Sequence, residues 1–140
     1  VHLEKEFDVT HEPAAAYRHV ASDETLLTLF PDTQSEIVAS SGECRTLRSH
    51  YRALGQEGTA TFNFVFVPEQ EVRFEKVCDG RVWRELKGTV SFRSQRGRTR
   101  VRIAMDGRTR PLVPEFTIKG AMKDQLEQMV RALRGRLEGA

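Results

Sequence analysis

The chain has 140 residues, 39% apolar and 30% charged, with a formal net charge of +2. One domain of ordinary size, 1–140, fits that length. Folding would bury roughly 68% of the unfolded chain's surface, so the core needs no metal or disulfide staple. The composition excludes a disordered chain, and no apolar run approaches the roughly 18 residues of a membrane-spanning helix.

Residues 1–9 alternate. Leu3, Phe7 and Val9 share one face; His2, Glu4, Glu6 and Asp8 share the other. The pattern predicts a strand with one wet face. Two short helices follow. Thr10 or His11 can cap the first, with Glu12 and Pro13 in its opening turn and Ala16, Tyr17 and Val20 on its stripe. Ser22 caps the second, Asp23 and Glu24 face the positive end of its dipole, and Pro31 stops it.

Strand signals then run from about residue 35 to 107. Segments 36–40, 44–54, 59–67, 71–78, 82–94 and 98–106 are joined by short turns. The turn residues are Ser41-Gly42, Gly55-Gln56-Glu57-Gly58, Pro68-Glu69, Asp79-Gly80 and Gln95-Arg96-Gly97. Connections this short predict antiparallel hairpins in a meander. The last thirty residues return to helical period, with Met122, Leu126, Met129, Val130, Leu133 and Leu137 on one face. With Pro114 near its first turn and Gly139 at its end, that helix would be roughly 37 Å long at 1.5 Å per residue.

The order is strand, two helices, six antiparallel strands, one long helix. It predicts a curved seven-stranded sheet whose one face is covered by the C-terminal amphipath. The sequence here resembles the START / polyketide-cyclase-like (SRPBCC, helix-grip) superfamily over its whole length. The resemblance is carried by Phe7-Asp8-Val9-Thr10 running into Pro13, then Tyr17. It continues through Ala21-Ser22-Asp23-Glu24-Thr25-Leu26 with Phe30-Pro31, and Val113-Pro114-Glu115-Phe116 leading into Leu126 and Leu133. The resemblance implies an α+β helix-grip fold. It leaves function open, because the superfamily includes lipid carriers, cyclases and interaction modules.

Pairing residue 51 with 62, 64 with 74 and 74 with 86 puts one apolar face across the sheet. Leu47, Tyr51, Phe62, Phe64, Phe66, Val72, Phe74, Leu86, Val90 and Phe92 share it. Val101, Ile103 and Met105 extend it on the seventh strand, and Leu3 and Phe7 on the first. A hydrophobic ligand would contact Tyr51, Phe62, Phe64, Phe66, Phe74, Leu86, Gly88, Val90, Ile103, Met105, Met122 and Leu126. The face holds either a pocket for that ligand or a core filled by phenylalanine. Gly88 removes a side chain from it, and Gly120, costly in a helix, suggests a packing or access reason. Ser49 or Tyr51 could orient a ligand's polar group.

The sequence argues against catalysis without closing the question. His2, His11, His19 and His50 form no zinc pair, and no nucleophile elbow, phosphate loop or dinucleotide fingerprint occurs. Neither a metal nor a cofactor is expected. A cyclase would need little more than Tyr51 and an arginine at the mouth, such as Arg45. Cys44 and Cys78 form no C-x-x-C, and the charged N-terminus has no signal-like apolar run, so a cytoplasmic chain with reduced thiols is expected.

Charge is lopsided. Residues 1–43 carry 2 basic and 9 acidic side chains; residues 81–110 carry 10 and 2. Arg96, Arg98, Arg100 and Arg102 could form an outer wall for RNA, a ribosome or anionic lipid. Alternatively Glu4, Glu6 and Asp8 lie opposite Arg98, Arg100 and Arg102 and neutralise them. Trp83, alternating onto the outer face near Val65 and Val67, could mark a homodimer patch.

Overall fold

Pro13 has no N–H to lose and a φ already suited to a helix, and it starts α1 (Pro13–Val20). A computed structural model describes residues 1–30, 33–53, 56–78 and 82–138. Pro31, Gly55, Asp79, Gly80 and Gly139, expected above as breakers and turns, lie outside the described residues. Before α1 comes β1 (His2–Val9), and after it α2 (Asp23–Thr28). Then follow β2 (Gln34–Ser41), β3 (Cys44–Ala53), β4 (Gln56–Val67), β5 (Glu71–Lys76), β6 (Trp83–Gln95) and β7 (Arg98–Thr109). A 3-10 turn (Glu115–Thr117) and α3 (Lys119–Glu138) complete the chain.

The flanking residue of α1 is Glu12, in extended backbone and without a side-chain cap, rather than Thr10 or His11. With proline first, one orphan donor is already gone. Ser22 caps α2 as expected: its Oγ accepts from the Thr25 N–H at 3.2 Å.

The strands form one antiparallel sheet in the order β1-β7-β6-β5-β4-β3-β2. Phe64 lies opposite Phe74, as expected. Tyr51 instead pairs with Gly58, and Phe74 with Gly88. The expected pairings were 51 with 62 and 74 with 86, so the errors are four and two residues. Both are even, and a strand's faces repeat every two residues, so no side chain changed sides. The β3–β4 hairpin is tighter than its turn residues suggested: Gln56–Gly58 are strand.

Odd shifts occur in two places, one between Ile37 and Ala39 on β2 and the other at the start of β6. Trp83 pairs with Thr109 but Glu85 with Arg108, a bulge at Arg84. The bulge turns Trp83 inward, where its ring covers Gly107 and packs on the core. The exposed outer-face Trp83 expected from simple alternation is therefore corrected, and the homodimer patch built on it loses its anchor.

Pro114 flanks the 3-10 turn rather than opening the long helix. With 20 residues, α3 is about 30 Å long. Its Met122, Leu126, Met129, Leu133 and Leu137 are buried. It packs chiefly against β1, α1, α2 and β7. The space between α3 and the middle strands is spanned by side chains. Phe30 stacks on Phe62 at 5.0 Å, and Phe64 lies 6.4 Å from Phe62 and 5.9 Å from Phe74 between ring centres.

Asp8 lies opposite Arg100, and Glu6 opposite Arg102. This is the neutralised arrangement, shifted by one pair from the expected register. Arg100 donates to Asp8 at 3.1 Å and to Glu6 at 3.4 Å, and Arg102 donates to Glu4. Arg98 faces Gln95 instead. Two arginines of the supposed polyanion wall are thus occupied by β1, which leaves the nucleic-acid reading without support.

The same edge carries a pH response. His2 lies between Asp106 (2.6 Å from Nδ1) and Glu4 (3.1 Å from Nε2). The hydrogen bond to Asp106, then that to Glu4, hold its pKa above the ordinary 6.5. A raised folded-state pKa gives stability that is fully present below the unfolded value and lost as pH rises through the folded one. The melting-temperature difference between the wild type and His2→Ala should therefore shrink as pH climbs past 6.5. A difference that stays constant with pH would show that these contacts do not form.

Candidate ligand-binding face

The concave side of the sheet is apolar because seven strands turn the same parity inward and α3 supplies the opposing stripe. Phe62, Phe64, Phe66 and Phe74 project from β4 and β5; Leu86 and Val90 from β6; Ile103 and Met105 from β7; Met122 and Leu126 from α3. Each is at most 4% exposed. The structure brings these ten expected contact residues into one core with Leu47, Val72 and Val101. In this state they contact one another and leave the face closed.

Gly88 also lies on this face, but its missing side chain opens no space. A Cβ there would lie 2.3 Å from Phe74 Cζ and 2.5 Å from the Ala104 carbonyl oxygen. The Phe74 ring fills the gap, which corrects the expectation of a local opening. At Gly120 a Cβ would meet nothing within 4 Å, so the packing half of the expectation there does not hold.

Tyr51 is set apart from the rest. It lies at the far end of β3, 41% exposed, with its ring over Gly58. Arg45 begins the same strand, and at about 3.3 Å per residue the two are about 20 Å apart. Arg45 is engaged by Asp23 at 2.9 Å and lies 5.3 Å above the Phe66 ring. Tyr51 and Arg45 therefore cannot act on one reacting centre.

The buried hydroxyls are taken by protein partners. Ser49 Oγ lies 2.9 Å from Ser35 Oγ, Thr99 donates to the His11 carbonyl at 2.6 Å, and Thr25 donates to the His19 carbonyl. Tyr17, read from sequence as part of a helix stripe and of the family resemblance, brings a phenol to the inner side. Its ring meets Phe92 edge-on at 5.9 Å. Burial raises its pKa, with Glu43 and Glu69 adding to the effect, so the hydroxyl stays protonated and can donate. The signal was available in the inward position of residue 17 on α1, but not the identity of its neighbours across the sheet.

Among the described residues, no group of His, Cys, Asp and Glu could hold a metal ion, and no helix is long and apolar enough to cross a membrane. Cys44 is exposed and Cys78 half-buried, and neither forms a disulfide. Open grooves lie among the described residues at the surface. One of about 280 Å³ sits on the convex side between Arg73, Lys87 and Asp106. Another of about 480 Å³ lies beside Asp23, Arg45 and Phe66.

No protein-family model matches the chain, and no curated protein matches it in sequence. Solved structures do match. The protein TTHA0849 from Thermus thermophilus is 19% identical, with a TM-score of 0.79 over 99% of this chain and 98% of its own. The Zhui aromatase/cyclase from Streptomyces sp. R1128 is 16% identical, with a TM-score of 0.77 over 99% and 92%. A START superfamily protein from Mycobacterium smegmatis is 19% identical, with a TM-score of 0.74 over 99% and 97%. The chain has the helix-grip fold: a curved seven-stranded antiparallel sheet on a long C-terminal helix, the architecture of START-like and polyketide-cyclase-like proteins.

Proposed function

We propose that this protein binds a hydrophobic small molecule or lipid between the concave sheet face and α3. The observation that carries this proposal is the chemistry of that face. Phenylalanine, methionine and aliphatic side chains line it, and its buried hydroxyls are already paired. Such a surface can offer a ligand partitioning and little else, at roughly 25 cal/mol per Å² removed from water. Because the face is closed, entry requires displacing rings. Phe62, Phe64 and Phe74 with Met122 are the side chains to move, and methionine adapts readily. Residues 1–140 act as one domain around this single core. Two cysteines outside any disulfide fit a cytoplasmic setting.

The cyclase alternative draws on the likeness to Zhui. Against it stands the separation of Tyr51 from Arg45. Tyr17 is an inner phenol with a raised pKa, and among the described residues it has no charged partner in hydrogen-bonding contact.

Native mass spectrometry of freshly purified protein should show an added mass that disappears on denaturation. Phe74→Leu, which frees volume above Gly88, should raise affinity for a hydrophobic dye several-fold. An apo mass alone, together with dye affinity unchanged in Phe74→Leu, would count against the proposal.

A further inference from the structure

Among the described residues, the two most exposed large apolar side chains both belong to the connection between β7 and α3. Leu112 is 88% exposed and Phe116 80%. Neither hangs on a loose segment. Leu112 is at the apex of a turn closed by Val113 N–H donating to the Arg110 carbonyl, with Pro111 at the position that presets its backbone. The turn is tied down twice: Arg110 N–H donates to the Val82 carbonyl, and Thr109 Oγ1 to the Val113 carbonyl. Phe116 sits in the middle of the 3-10 turn, whose ends are bonded by Thr117 N–H and Thr117 Oγ1 to the Pro114 carbonyl. Two ordered turns thus hold two apolar side chains out in water. Folding gains nothing from this exposure.

The surroundings indicate what would cover them. Residues 108–123 carry Arg108, Arg110, Lys119 and Lys123 against one carboxylate, Glu115. The Val1 amino group engages Glu115 at 3.1 Å. Arg110, Lys119 and Lys123 are exposed and form no ion pair among the described residues. Val82, whose carbonyl accepts from Arg110 N–H, is also exposed beside this connection. The patch therefore consists of protruding apolar tips among basic side chains, beside a polar groove of about 520 Å³ between Glu85, Arg108 and Glu115. A protein interface needs extended complementarity; a bilayer requires only insertion depth and opposite charge.

We infer that the β7–α3 connection docks the protein on an anionic lipid surface. Leu112 and Phe116 enter the acyl boundary, and Arg108, Arg110, Lys119 and Lys123 meet the headgroups. The docking stands on this surface alone and does not require an internal ligand.

Flotation of the full chain with vesicles tests it. Vesicles of phosphatidylglycerol and phosphatidylcholine in equal amounts should carry the protein, and vesicles of phosphatidylcholine alone should carry about tenfold less or worse. Leu112→Asp with Phe116→Asp should lower binding by at least about tenfold. Both positions are exposed, so the melting temperature should hold. Lys119→Gln with Lys123→Gln should weaken binding and flatten its salt dependence. Absence of binding by the wild type, full binding by the double aspartate variant, or indifference to phosphatidylglycerol overturns the inference. So does a Phe116-dependent dimer that ignores vesicles. Internal ligand retention is read separately by native mass spectrometry and should survive both variants, so failure of one proposal is distinguishable from failure of the other.

Discussion

Phe64→Ala is expected to destabilise the protein by about 3–5 kcal/mol. Phe64 is 1% exposed at the centre of the concave face, with aromatic neighbours on both sides. Truncation removes the ring's transfer free energy and leaves a hole. Phe62 and Phe74 are rooted in paired strands and can relax only partly into it. Against a typical stability of about 5–15 kcal/mol this is a large fraction. In urea the midpoint should fall while the slope stays near that of the wild type. A loss under about 1 kcal/mol would mean that the face collapses readily. The same variant should bind small apolar molecules better than wild type, as engineered apolar cavities do.

Gly88→Ala is the second large effect, about 1–3 kcal/mol from overpacking. The two close atoms differ in kind. Phe74 Cζ, at 2.3 Å from the new Cβ, can swing away at the cost of its own packing. The Ala104 carbonyl oxygen, at 2.5 Å, belongs to the β7 backbone and can move only by deforming the sheet. Adding Phe74→Leu should therefore rescue part of the loss and never all of it. A double-mutant cycle on melting curves reads the shared portion. A neutral Gly88→Ala, or full rescue, would mean that β6 and β7 approach less closely than described.

Element type and strand order were legible in this sequence because they depend on periodicity and turn chemistry. Even the register errors at Tyr51 and Phe74 were harmless, since both slipped by an even number of residues. Trp83 shows the limit. One inserted residue at Arg84 reverses its side, and nothing local in Val82–Glu85 announces a bulge. The start of α3 was misplaced for a similar reason: Pro114 suits the first turn of either a 3-10 or an α-helix. At the candidate site, alternation identified which residues face inward. It could not show whether they meet, because whether rings fill a space depends on the distance between sheet and helix. Gly88 illustrates this: a missing side chain reads as room, whereas here it is the seat of a ring from the next strand. Leu112 and Phe116 were visible as apolar residues next to α3, but their outward direction is set by two turns that only the structure shows.

In the sheet order, every neighbouring pair but one joins strands consecutive in sequence; the exception unites β1 with β7. During synthesis from the N-terminus, β1 emerges long before its mate, and its edge waits in the open. Glu4, Glu6 and Asp8 keep it from annealing to other acidic or apolar edges, since charge on an unpaired edge discourages promiscuous pairing. In the folded sheet those carboxylates meet Arg100 and Arg102 of β7. Closing the sheet through its first and last strands tethers a long loop, and contacts so far apart in sequence slow folding.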